Sequence, residues 1–415
     1  MQLPEKISTM MAKGVRFTAP FSVEIGEEVA LERIAGQGVV IYGGARLYGA
    51  DTLVSPETII GAEGPVTMVN CQLGPRVELK GGFFESSVFL EKASMASGAQ
   101  VREGTLLEEG AKVGHTVGLK QTILFPYVTL GSLINFCDCL MAGGTGKEDH
   151  SEVGSSYIHF NYTPQQDKAT PSLIGDVPRG VMLDQPPIFL GGQGGLVGPL
   201  RLDYGTVITA GTVWRHDSSG AKLLHGGAGR PLRHDYQAGL YGDISRKVNH
   251  NIVYIANLRA LREWYAHVRR PFFEKEEMGA PLWGGSLALL DRALEERLKR
   301  FREFSGLLRK SATIGEEREG PVSGIFRRQR ELTERWPEIE AALQASLESG
   351  SLLQSREAFL EPFLKRAREA DNYLAAIRAL DEKAKRAGIF WLQQVVDTVA
   401  GRVLNLLPAF RSYTT

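Results

Sequence analysis

Between residues 137 and 168 the chain carries Cys137, Asp138, Cys139, His150, His159, Asn161, Tyr162 and Lys168. Histidine titrates near neutrality, so His150 and His159 are of the type that takes a proton from a reacting group at physiological pH. An ordinary carboxylate such as Asp138 is too weak for that task unless burial raises its pKa. Cys137 and Cys139 with His150 are metal-ligating types, but zinc usually takes two cysteines separated by two or more residues. Small core residues account better for this pair, both expected on the same side of one strand, and no metal is expected. Gly191-Gly192-Gln193-Gly194-Gly195 looks able to approach a phosphate, yet it does not stand between a strand and a helix as a phosphate loop would. Tight corners explain it more simply.

These residues need a scaffold, and the sequence states one. Leu190, Leu196, Leu202, Ile208 and Trp214 recur every sixth position, as do Val101, Leu107, Val113 and Leu119. Neither a helix nor a plain strand needs such a beat; a hexapeptide β-helix does, since each six-residue unit forms one flat face and turns one aliphatic side chain inward. Glycine often follows the inward residue, as at Ile60-Gly61 and Ile174-Gly175, where a corner of positive φ costs it nothing. The pattern predicts a left-handed parallel β-helix over residues 1–220.

The grammar then changes. Of 47 glycines, 37 precede residue 245, and beyond it Glu, Arg, Leu and Ala dominate. Phe363, Ala367, Ala370, Leu374 and Ile377 show the three- and four-residue spacing of one buried helical face. We expect a glycine-rich connector over 221–245 and a helical bundle over 246–415. Its charges read as a solvated face, with the alternative that the helices cap the open end of the coil, since a terminal rung leaves backbone and core exposed. The beat fails at Gly143–Pro171, Val177–Pro187 and Gly191–Gly198, and such interruptions are where a scaffold carries chemistry.

Composition sets outer limits. The chain has 415 residues with 48 basic and 48 acidic side chains, so no global attraction to nucleic acid or membrane is expected. Three cysteines form no disulfide framework, which suits a reducing cytoplasm. The apolar stretch from Ile389 to Leu407 is interrupted by Gln393, Gln394, Asp397 and Arg402 and reads as a packed amphipathic helix, not a membrane span.

The motifs Asn161-Tyr162, Lys168, Ile174-Gly175-Asp176, Leu196-Val197-Gly198-Pro199 and Ala210-Gly211-Thr212 occur in one colinear order. With them, residues 40–217 resemble the acetyltransferase half of the bacterial bifunctional N-acetylglucosamine-1-phosphate uridyltransferase family. The resemblance implies that Arg102 and Lys120 donate to a sugar 1-phosphate, a role suited to fixed cations. It implies that Asn161, Tyr162 and Lys168 orient the amino sugar, and that Ala210, Gly211 and Thr212 line an acetyl-CoA groove between subunits of a homotrimer. The expected activity is acetyl-CoA-dependent acyl transfer to an amino sugar or sugar phosphate, within UDP-N-acetylglucosamine biosynthesis.

The departures are specific. Where the family places its histidine base this chain has Asp138, and where a tyrosine follows it has Met141. His150, His159 and, one rung below, His115 are the substitutes within reach of the sequence. The serine expected near the thioester falls at Gly192. The family's nucleotidyltransferase domain, with its Gly-x-Gly-Thr-Arg loop, has no counterpart, so uridylyl transfer is not expected. A second reading follows: a non-catalytic protein that binds a nucleotide sugar, or a scaffold that engages a partner through its helical region.

Overall fold

The computed structural model describes residues 3–226, 233, 236–319, 324–348 and 350–413. The hexapeptide beat produces the expected parallel β-helix, followed by a helical region. Short strands stack in parallel on three faces. The first face holds eleven strands, from Arg16–Phe17 to Leu223–Leu224. The second runs from Glu24–Ile25 to Val213–Trp214, and the third from Leu53–Val54 to Arg201–Leu202. These two join into one sixteen-stranded sheet because Gly118–Leu124 and Asn135–Met141 bend round the shared corner without a break.

The inward column of the second face is Leu47, Met68, Phe84, Val101, Leu119, Phe136, His159 and Leu196, each in register with the next. All but His159 are apolar, and all are buried. The corner between the second and third faces needs positive φ on almost every rung. Gly49 (90°), Asn70 (52°), Ser86 (44°), Gly104 (75°), Gln121 (50°) and Asp138 (61°) occupy it in turn. Asparagine and aspartate enter this left-handed region more readily than most residues, because their short polar side chains can bond locally.

The helices do not sit where a cap on the open C-terminal end would place them. They lie along the third face. Helix Gly279–Glu319 packs on strands Gln72–Leu73, Ser87–Phe89 and Thr105–Leu107, while helix Ser245–Trp264 packs on Ser172–Ile174. Third-face strands as far as Ser172–Ile174 are accordingly buried on both sides, whereas Arg201 on the last one is exposed and first-face strands keep one exposed or half-exposed edge. A strand covered on both sides must be apolar in both directions, and the pairs Leu106-Leu107, Ile123-Leu124 and Leu140-Met141 satisfy that.

The N-terminal end has its own lid, helix Glu5–Lys13. Its Lys6 Nζ donates to the carbonyls of Gly26 (2.7 Å) and Val29 (3.1 Å), tying the lid to the first rung. The last coil strand ends at Leu224 and the next long helix begins at Ser245. Residues 227–232 and 234–235 of the expected connector lie outside the described residues.

Several ion pairs fasten the helices to the coil, among them Lys247–Asp167 and Lys385–Asp184, and two more join deeply buried arginines to it. Arg269 is 1% exposed and binds Glu109, with Glu108 3.8 Å away. Its guanidinium stands 3.9 Å from the ring centre of Tyr373, and Tyr265 donates to Glu108. Burial, with Glu109 adding to it against the pull of Arg269, lifts the Glu108 carboxyl to about 7. The second pair joins Arg297 to Asp138.

Candidate functional site

The second face gathers the cations that the sequence singled out. Arg102 and Lys120 follow the paired strand positions Val101 and Leu119, and Lys120 is in register with Cys137 on the next rung. Arg102 and Lys168 are exposed, and among the described residues neither forms an ion pair; Lys120 lies 3.0 Å from Glu103. The charges of Lys120, Arg102 and Lys168 all act on Cys137, against burial and Asp138, which together push its thiol up to about 11. Arg102 and Lys120 thus occupy successive rungs of one face, with Cys137 on the rung that follows. Further along the same face stand the exposed apolar side chains Ile158, Phe160 and Val213.

Cys137 and Cys139 do not point the same way, contrary to the expectation for one flat strand. The corner at Asp138 separates them, so Cys137 stands half-buried on the second face and Cys139 is buried on the third. All three cysteines are free thiols, and among the described residues no cluster is arranged to hold a metal.

Asp138 itself is 4% exposed, and both carboxylate oxygens are engaged. Arg297 on helix Gly279–Glu319 donates to Oδ1 at 2.6 Å, and Asn161 Nδ2 donates to Oδ2 at 2.8 Å. Arg297 is 2% exposed, and its Nε and Nη1 find no acceptor among the described residues. The place where a general base was sought therefore holds a buried ion pair to the helical region.

The segment after Phe160 carries Asn161, Tyr162 and Lys168, and the helical region holds it in place. Lys247 Nζ reaches Asp167 Oδ1 at 2.8 Å, with Asp167 2% exposed at its side chain. Thr163 and Tyr241 also donate to Asp167, Asn251 Nδ2 donates to the Ala169 carbonyl at 2.9 Å, and Gln165 bonds the 237–240 backbone. Tyr162 and Lys168 are left exposed on this anchored segment and Asn161 half-buried.

The histidines lie elsewhere. His159 occupies an inward position, 2% exposed, with Nδ1 2.6 Å from the Cys137 carbonyl and Nε2 2.7 Å from Ser172 Oγ. Burial pushes its imidazole down to about 4, so the ring is neutral at pH 7 with both nitrogens occupied. His150 caps its own turn, with Nδ1 2.8 Å from the Lys147 carbonyl. His115 faces Glu63 at 3.3 Å on an exposed corner. None of the three bonds to Asn161 or Lys120.

On the downstream rungs, Ala210 and Gly211 are exposed at a corner, while Thr212 is buried with its hydroxyl 3.1 Å from that of Thr209. Glycine at 192 has a packing cause: a Cβ there would stand 2.7 Å from the Ser155 carbonyl oxygen. A serine in this register has no room.

No protein-family model matches the chain. Homologues named Bifunctional protein GlmU cover about 45% of it. The protein from Thermotoga maritima is 28% identical over 204 residues, 45% of this chain and 42% of its own length. That from Pelobacter propionicus is 28% identical over 198 residues, again 45% of this chain and 38% of its own. The chain thus spans less than half the length of these relatives. Arg297 and Lys247, which tie Asp138 and Asp167 of the coil to the helices, were not found by reading the sequence. Neither stands in a motif, and only the docking of distant helices brings them to the site.

Proposed function

We propose that the coil is an acetyltransferase-like sugar-phosphate-binding protein that does not transfer an acyl group through Asp138, His150 or His159. One observation carries this reading. Arg102 and Lys120 follow the paired positions Val101 and Leu119, Lys120 is in register with Cys137, and Cys137 precedes the Asp138 that Asn161 bonds, while both oxygens of Asp138 and both nitrogens of His159 are already bonded. Cations suit a phosphate, and the exposed Tyr162, next to Asn161 in the chain, offers a sugar both an apolar ring and a hydroxyl. A nucleotide sugar presents the same phosphate chemistry. Among the described residues no helix is long and apolar enough to cross a membrane.

A second reading keeps catalysis: acetyl transfer from acetyl-CoA lying along Gly192, Ala210, Gly211 and Thr212, between subunits of a homotrimer. The retained Asn161-Tyr162 pair, Lys168 and the Ala210-Gly211-Thr212 rung favour it, as does the exposed apolar surface of Ile158, Phe160 and Val213, which a neighbouring subunit would cover. One set of measurements separates the readings. Calorimetry with glucosamine 1-phosphate and UDP-sugars should give binding that Arg102→Ala and Lys120→Ala weaken. Incubation with acetyl-CoA and glucosamine 1-phosphate should release no thiol above an Asn161→Ala control. Thiol release above that control would establish the second reading, and absence of binding would end the first.

A further inference from the structure

Asn161 is half-buried, and its side chain bonds Asp138 while keeping access to solvent. Its Nδ2 donates to Asp138 Oδ2, and no hydrogen bond reaches its Oδ1 among the described residues. The orientation of an amide follows from its hydrogen-bond network, so the question is what fixes this one. Arg297 does so through Asp138. A guanidinium can only donate, and it holds Oδ1 of Asp138 at 2.6 Å in a place 3–5% exposed. Both carboxylate oxygens then act as acceptors, and the group facing Oδ2 has to be a donor. Asn161 must turn its NH2 toward Asp138 and its carbonyl away.

We infer that Arg297 is a specificity-determining residue of the sugar site: acting through Asp138, it makes Asn161 present a hydrogen-bond acceptor, which selects an amine-bearing sugar phosphate. The inference rests on the reading of the second face as a sugar-phosphate site. An ammonium group can only donate, so it matches a fixed carbonyl oxygen and is mismatched to a fixed NH2. Arg297 touches no ligand in this scheme; it is a positioning residue supplied by the helical region.

Asp138→Asn tests the relay sharply. Asparagine tolerates the positive φ of 61° at this corner. Arg297 would claim the new carbonyl oxygen, turning the new NH2 toward Asn161. Asn161 would then flip and offer its own NH2 to the ligand. The double variant Asp138→Asn/Arg297→Met removes the donor that imposes this order, leaves no stranded buried charge, and frees both amides to turn.

The full chain is titrated by calorimetry with glucosamine 1-phosphate, 2-deoxyglucose 1-phosphate and inorganic phosphate, with thermal unfolding as the check on folding. The native protein should prefer the amino sugar over the deoxy sugar by about tenfold or more, the range of a hydrogen bond to a charged group. Asp138→Asn should abolish that preference, while inorganic phosphate binds as before. The double variant should recover part of it. Three results overturn the relay while leaving the site reading intact: equal native affinity for the two sugars, an undiminished preference in Asp138→Asn, or no difference between single and double variants. Failure of the native chain to bind any of the three probes overturns both.

Discussion

His159 gives the most direct test of whether a proton acceptor is available on this coil. Its ring fills one position in an otherwise apolar inward column, and burial holds its pKa near 4 against an ordinary value of 6.5. The group is a base whose folded pKa is depressed. Its contribution to stability is therefore present above pH 6.5 and is lost as pH falls from 6.5 through 4. The shift corresponds to about 3 kcal/mol at full protonation, and to about 2.5 kcal/mol at pH 4.5. His159→Gln keeps a donor and an acceptor near Ser172 and Cys137 but cannot titrate. Urea unfolding from pH 7.5 to 4.5 should show an acid limb in the native protein that the variant flattens by about that amount, once the constant cost of substitution is subtracted. NMR should place the His159 titration near 4. A His159 midpoint near 6.5 would mean that water reaches the ring, which would refute its inward placement and restore it as a candidate base.

Glu108 carries the opposite sign. Its folded pKa is raised to about 7, so its stabilising contribution is present below 4.5 and is lost as pH rises through 7; Glu108→Gln should flatten the decline in unfolding free energy between pH 5 and 8. Arg269→Met strands two carboxylates, Glu108 and Glu109, in a junction where the guanidinium was 1% exposed, and should cost about 3–5 kcal/mol by urea unfolding, with earlier proteolysis of the helical region than of the coil. Gly192→Ser places a Cβ 2.7 Å from the Ser155 carbonyl oxygen, so it should lose about 1–3 kcal/mol by the same measurement and gain no thiol-releasing activity with acetyl-CoA.

The coil was legible because its rule is local: one inward aliphatic every six residues and a permissive corner residue after it. The place of the helices was less legible. Doubled apolar positions such as Leu106-Leu107, Ile123-Leu124, Leu140-Met141 and Leu173-Ile174 suit the covered third face. Yet Val40-Ile41, Ile59-Ile60 and Val207-Ile208 show the same pairing on the first face with the outer residue half-exposed, so the doublet alone does not say which face the helices cover. Asp138 carried a backbone message of its own. Its corner column runs Asn70, Ser86, Gly104, Gln121, Asp138, the residue types that positive φ favours or tolerates, so a backbone reason for aspartate existed before any catalytic one.

The proposed site was only half legible, and the missing half is non-local. Arg102, Lys120, Asn161, Tyr162 and Lys168 lie on the coil, where a colinear motif can point to them. Their electrostatic meaning depends on Arg297 and Lys247, which stand 159 residues from Asp138 and 80 from Asp167. A helical periodicity says which side of a helix is buried, not which coil carboxylate that side meets. An isolated buried charge is so costly that Asp138 and Arg297 have to be read as one unit. Once they are, an aspartate at the expected position of a base is no longer a weak substitute for histidine. It is the anchor for a helical region, and a coil that uses this position to hold its helices has given up the free lone pair that general-base catalysis there would require.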